Sequence, residues 1–125
     1  MNDEEKPTSR LGVNWAARWN ERDIVGLCAL YAPDCRSNDM ADGTGFNGRA
    51  GIKGVYESTI KNFPDFRLRC DNSIGDGLRY AMEWTMWATV NGQKREVHGS
   101  SFGTTDRAGR IQERRDYWDT SHLFS

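Results

Sequence analysis

Arg79-Tyr80-Ala81-Met82-Glu83-Trp84-Thr85-Met86-Trp87-Ala88-Thr89-Val90-Asn91-Gly92 decides the fold. Tyr80, Met82, Trp84 and Met86 fall on one face and Glu83, Thr85 and Trp87 on the other, the period-two alternation of a strand. Asn91-Gly92 follows, two residues that tolerate positive φ and give the strongest short-range hairpin signal. Residues 94–105 return antiparallel, with His98, Ser100 and Phe102 on one face. Asp106-Arg107-Ala108-Gly109 turns the chain into a last strand over residues 111–119. Upstream, residues 66–74 alternate, with Phe66, Leu68 and Cys70 on one face, and Gly75-Asp76-Gly77 turns them into the long strand. The second half of the chain therefore reads as an antiparallel meander.

The first half is helical. Leu11, Trp15 and Trp19 recur every fourth residue, a helical stripe that Thr8 or Ser9 can cap. Asp23 caps a second helix with the stripe Ile24, Leu27, Cys28 and Tyr31, and Pro33 ends it. Residues 35–40 suit a short strand. The run Asp42-Gly43-Thr44-Gly45-Phe46-Asn47-Gly48 turns the chain and borders a cavity mouth; it lacks the lysine of a phosphate-binding loop. A third helix places Ile52, Val55, Tyr56, Thr59, Ile60 and Phe63 on one side and stops at Pro64. Helices first and strands after is an α+β order. Strands this long, wrapped on helices, bend into a cone-shaped, half-open antiparallel sheet that encloses a pocket where the helices leave it unfilled.

The chain has 125 residues, the size of one domain with one core. We expect a flexible lead over residues 1–8, a single domain over 9–121 and a tail over 122–125. A net charge of −1, with short basic runs broken by acids, argues against nucleic acid and against an anionic membrane surface. The polar N-terminus is not a signal peptide, and the expected compartment is the cytoplasm. Cys28, Cys35 and Cys70 match no zinc spacing and read as small buried hydrophobes; two distant histidines argue against any metal site. Five Trp, five Phe and four Tyr exceed what a core of this size needs and fit a ring-lined pocket.

The last strand, Ile111-Gln112-Glu113-Arg114-Arg115-Asp116-Tyr117-Trp118-Asp119, mixes charge and ring on both faces. Gln112, Arg114, Asp116 and Trp118 share one face. A carboxylate among rings in a sheet must be ion-paired, solvated in a cavity, or raised in pKa. The latter two describe an acid/base site.

Six motifs stand in a recognisable order: Trp19-Asn20-Glu21-Arg22-Asp23, Leu30-Tyr31-Ala32-Pro33-Asp34, Gly48-Arg49-Ala50-Gly51-Ile52, Phe63-Pro64-Asp65-Phe66, Gly109-Arg110-Ile111 and Arg115-Asp116-Tyr117-Trp118-Asp119. Together they resemble the SnoaL-like polyketide cyclase branch of the nuclear transport factor 2-like superfamily, over roughly residues 11–121. The resemblance implies a cone-shaped α+β fold with a deep apolar pocket, commonly in homodimers. The Gly-Thr-His often carried by the cyclase branch on the penultimate hairpin is absent; His98-Gly99-Ser100 lies on the next strand instead.

Asp116 is the candidate acid/base, placed near a pocket carboxylate by the resemblance. Its structural alternative is an ion pair with Arg114, Arg115 or Arg49. If the last two strands pair, His98, Ser100 and Phe102 could share the concave face with Asp116 and Trp118, and His98 would orient a proton carrier or hold an oxyanion. Trp15, Tyr31, Phe63, Trp84, Phe102, Arg114 and Trp118 are the candidate substrate-binding residues. Asp119 suits a turn or cap. The expected function is a cofactor-independent enzyme acting on a small apolar, carbonyl-containing or polyketide-like ligand, by cyclase, isomerase or dehydratase chemistry. An epoxide hydrolase built on Asp116, Glu83 and Arg114 is one alternative. A non-catalytic binding or dimerisation module is the other.

Overall fold

The computed structural model describes residues 10–124. The expected caps Thr8 and Ser9 lie outside them. The elements run α1 (Leu11–Asn20), α2 (Ile24–Ala29), β1 (Tyr31–Asp39), β2 (Gly45–Asn47), α3 (Gly48–Asn62), β3 (Arg67–Gly75), β4 (Arg79–Val90), β5 (Gln93–Thr105), β6 (Ile111–Trp118) and α4 (Ser121–Phe124). Six strands form one curled, unclosed sheet in the order β2-β1-β6-β5-β4-β3. The meander β3 to β6 is antiparallel, as its alternation and turns require. The β1–β6 pair is parallel, so the sheet is mixed at this one junction.

The concave face carries the core. Tyr80, Met82, Trp84, Met86 and Ala88 of β4 point inward and are buried against Leu11, Trp15 and Trp19 of α1. Asn20 fastens the end of α1 to β3. Its side-chain Nδ2 donates to the Leu68 carbonyl at 2.6 Å, and its Oδ1 accepts from the Leu68 N–H at 2.9 Å. One side chain thus satisfies both backbone groups of Leu68 on the edge strand β3. Asp23 caps α2 by accepting from the Gly26 N–H at 2.9 Å.

The second helix ends sooner than its apolar stripe suggests. Tyr31 begins β1 rather than closing α2, and Pro33 lies inside the strand. The Ile111 N–H donates to the Leu30 carbonyl at 2.8 Å, and Tyr31 pairs with Ile111, so β6 captures the chain there. Pro33 falls in the register break between Tyr31 and Arg36, where its missing N–H breaks no ladder bond. The C-terminal end is also more ordered than a tail. Residues Ser121–Phe124 form α4, and Leu123 is buried. No helix among the described residues is long and apolar enough to cross a membrane.

Gly103 lets β5 and β6 close together. A Cβ there would sit 1.8 Å from the Glu113 carbonyl oxygen, which is backbone and cannot swing aside. Gly103→Ala is expected to destabilise the fold by about 3 kcal/mol, the upper end for overpacking. A lowered urea midpoint checks this.

Candidate functional site

Between α1, α3 and the concave sheet lies a cavity of about 270 Å³. Its apolar wall includes Trp15, Trp19, Phe63, Phe66, Trp84 and Leu123. Its polar wall comprises Asp39, Asp42, Thr44, Arg114 and Asp116, with the Trp118 ring beside them.

Arg114 is the deepest of these groups, with 2% of its side chain exposed. It lies over the Trp15 ring at 4.2 Å from the ring centroid, a cation–π contact. Its Nε donates to Asp116 Oδ1 at 2.8 Å, its Nη2 to Ser101 Oγ at 2.9 Å, and its Nη1 faces Met82 Sδ at 3.7 Å. Burial by itself would pull the guanidinium pKa down; the Asp116 carboxylate, with Tyr31 and Tyr80 beside it, outweighs burial and holds it above its ordinary value. Arg114 is a fixed positive charge.

Asp116 lines the cavity and keeps 22% of its side chain exposed. Both of its donors, Arg114 Nε and the Ser101 hydroxyl, reach the same oxygen, Oδ1. Among the described residues no hydrogen bond is made to Oδ2. The pairing is thus single-pronged, and one oxygen remains available to a ligand.

Asp39 is the group that sequence reasoning missed. The parallel register sets Asp39 of β1 directly beside Asp116 of β6. Trp118 Nε1 donates to both Asp39 oxygens, at 2.8 and 3.0 Å, and the Ala41 N–H donates to Oδ1 at 2.9 Å. Burial pushes the Asp39 pKa up; the Trp118 and Ala41 hydrogen bonds oppose this, and the Asp42 and Asp116 carboxylates add to the rise. Two carboxylates and one buried arginine therefore meet at one wall. The local signal was the acidic turn after the short strand, Asp39-Met40-Ala41-Asp42. Its nearness to Asp116 depends on a non-local pairing.

The raised Asp39 pKa fixes a sign. A carboxyl whose folded pKa exceeds its unfolded value contributes stability below the unfolded pKa and loses it as pH rises through the folded pKa. Relative to wild type, Asp39→Asn is therefore expected to gain thermal stability as pH rises from about 4, the ordinary aspartate value, to about 7. Paired melting curves check it; a constant difference across that span would contradict it.

The remaining candidates divide by strand parity. Ser101 pairs with Asp116 and Gly99 with Trp118, so the odd-numbered residues of β5 share the concave face. His98, Ser100 and Phe102 point the other way, and the expected shared face with Asp116 is corrected. The His98 side chain is 67% exposed, with Nδ1 at 2.9 Å from Thr85 Oγ1 and Nε2 at 3.7 Å from Glu96. Phe102 is exposed and stacks edge-on against Tyr117 at 5.9 Å. Glu83 is likewise exposed on the convex face, so it cannot join Asp116 and Arg114 around one water. Tyr31 is buried behind Trp15, whose Nε1 donates to its hydroxyl at 3.2 Å, and burial pushes its pKa up to about 12. Trp15, Phe63, Trp84, Arg114 and Trp118 do line the cavity. Arg49 donates from Nε to the Tyr31 carbonyl at 2.9 Å, away from Asp116. Asp119 caps Ser121, accepting from its N–H at 3.0 Å and its hydroxyl at 2.7 Å.

A curled sheet wrapped on N-terminal helices, with a ring-lined cavity between them, is the nuclear transport factor 2-like fold. The chain belongs to the SnoaL-like domain family, which matches residues 13–114. No curated protein matches it. Among solved structures it is similar to a hypothetical protein with a ketosteroid isomerase-like fold from Catenulispora acidiphila in complex with trimethylamine, at 22% identity and TM-score 0.83, covering 93% of this chain and 90% of that one. It is also similar to TerC crystallised with polyporic acid, at 22% identity and TM-score 0.82, covering 95% and 96% of the two chains. A third is SalBIII, an epoxide hydrolase/cyclase-like enzyme of pyran ring formation in the polyether salinomycin, at 17% identity and TM-score 0.80, covering 98% and 97%.

Proposed function

We propose that the protein is a cofactor-independent enzyme that removes a proton from the carbon beside a carbonyl of a small, mostly apolar molecule. The reaction classes are ring closure, isomerisation or dehydration. The observation that carries this is the pairing of Asp39, desolvated and raised in pKa, with a fixed Arg114–Asp116 pair on the same cavity wall. Asp39 takes the α-proton, and the C–H electrons move to the carbonyl oxygen as an enolate. The buried charge of Arg114 stabilises that oxygen in a medium where charge interactions are strong. Asp39 then returns its proton to carbon, giving the isomer, or to the new alkoxide after the enolate attacks a second carbonyl. Asp116 keeps Arg114 in place and leaves Oδ2 for the substrate. The rings exclude water and orient the ligand.

The test is exchange of the α-protons of 2-tetralone in deuterated water, followed by NMR. Acceleration above the buffer rate supports the reading, and no acceleration overturns it. A second reading, epoxide opening, is favoured by the two carboxylates and one arginine on the same wall; Asp39 there takes the place expected for Glu83. Styrene oxide in isotopically labelled water distinguishes it, since only enzymatic opening puts the label at one carbon of one enantiomer.

The exposed Phe102–Tyr117 ring pair on the convex face suits a contact between two copies. A homodimer through it is expected to show twice the chain mass by light scattering and to dissociate on Phe102→Glu.

A further inference from the structure

Ser101 decides which oxygen of the cavity carboxylate is left for a ligand. It is fully buried on β5, opposite Asp116 of β6. Its Oγ accepts from Trp84 Nε1 at 2.9 Å and from Arg114 Nη2 at 2.9 Å. An indole N–H and a guanidinium only donate, so the hydroxyl proton has one direction left, toward Asp116 Oδ1. Arg114 Nε donates to the same oxygen at 2.8 Å. Oδ1 is thus turned toward two buried groups, Ser101 and Arg114. Asp116 nevertheless lines the cavity and keeps 22% of its side chain exposed, and the oxygen free to account for that exposure is Oδ2. Solvent hydrates this oxygen while the cavity is open. A ligand that fills the cavity strips the water away, and a carboxylate oxygen left dry without a donor is costly.

We propose that Asp116 is a specificity determinant whose Oδ2 accepts a hydrogen bond from a hydroxyl of the substrate, so that the substrate is a hydroxy ketone rather than a plain one. The inference rests on the reading of the cavity as the substrate site, with the carbonyl oxygen at Arg114. Arg114 and Asp116 are in direct contact at 2.8 Å, and neighbouring groups on the protein call for neighbouring oxygens on the ligand, as in an α- or β-hydroxy ketone. Arg114 already balances the Asp116 charge, so a neutral O–H suits the free oxygen. A ligand with methyl in place of the hydroxyl buries Oδ2 unpaired. A methyl ether fares no better, because its oxygen accepts and does not donate. A site that holds a substrate O–H discriminates against analogues lacking it for this reason.

The test is an NMR titration of the full chain, labelled with nitrogen-15, with three matched ketones: 2-hydroxyacetophenone, propiophenone and 2-methoxyacetophenone. The expected result is about tenfold tighter binding of the hydroxy ketone than of either other ketone, the low end for a hydrogen bond to a charged group. Asp116→Asn should erase the preference over the methoxy ketone. Ser101 and Arg114 both donate at the Oδ1 position, so the amide oxygen must lie there and the amide N–H faces the cavity, a donor where an acceptor stood. Equal affinities of the wild type for the three ketones, a preference that survives Asp116→Asn, or no binding of any of them would overturn the proposal. If Asp116→Asn does not fold, the comparison on the wild type decides alone. α-Proton exchange, measured separately on 2-tetralone, reports on the catalytic reading. Hydroxyl selectivity without exchange would reject the chemistry and keep the binding assignment; exchange with equal affinities would do the reverse.

Discussion

Asp39→Asn is expected to slow α-proton exchange of 2-tetralone by about 10²–10⁴-fold, the range for losing a positioned general base. The amide has nearly the shape of the carboxylate, and its oxygen can still accept from Trp118 Nε1, so the cavity wall should hold. What it cannot do is take a proton. KM should change little and kcat should carry the loss, since the missing interaction belongs to proton transfer rather than to ligand binding. Retention of more than about a tenth of the wild-type rate, far above what loss of a general base allows, would remove Asp39 from the chemistry.

Arg114→Met should cost about 3 kcal/mol of stability, the low end of the range for breaking a buried ion pair. Methionine keeps the length and the apolar contact with Trp15, but three interactions go: the Asp116 salt bridge, the Ser101 hydrogen bond and the cation–π contact. Asp116 is left with Ser101 as its partner, and its partial exposure to the cavity relieves some of the penalty. The double variant Arg114→Met with Asp116→Ala should recover part of the loss, because no uncompensated charge remains. Urea unfolding of the single and double variants measures both. A double variant less stable than the single one would mean that Asp116 contributes stability even without Arg114, and is not left as an uncompensated charge.

The sheet was legible because its signals are local. The alternation of Arg79–Val90, the Asn91-Gly92 turn and the Asp106–Gly109 turn each act over a few residues and agree with one another. Both Asn91 and Gly92 adopt the positive φ that the turn requires. The helical stripe of Leu11, Trp15 and Trp19 was legible in the same way, since α1 buries that side. Tyr31 misled because its spacing from Leu27 suits a helix, whereas Ile111 of β6 takes the chain into the sheet; an isolated helical stripe carries no information about a competing strand.

The site was legible only in part. Asp116, Arg114 and Trp118 alternate on one strand and had to share a face, whichever it was. The place of His98 depended on a register that differs by one residue from the one assumed, and a slip of one sends every side chain to the opposite face. Ser101, a small polar residue between two ordinary neighbours, turned out to sit beneath Asp116. Asp39 needed the parallel β1–β6 contact, which joins distant parts of the chain through no short turn.

Proton abstraction by Asp39 requires a desolvated carboxyl of raised basicity. Carbon-13 NMR of the aspartate side-chain carboxyls, with Asp39 identified by its absence in Asp39→Asn, measures this directly. Asp39 is expected to titrate clearly above the ordinary aspartate range of about 4. A midpoint at or below that value would show a carboxylate stabilised by Trp118 as a structural anion, and the proposed base would be contradicted.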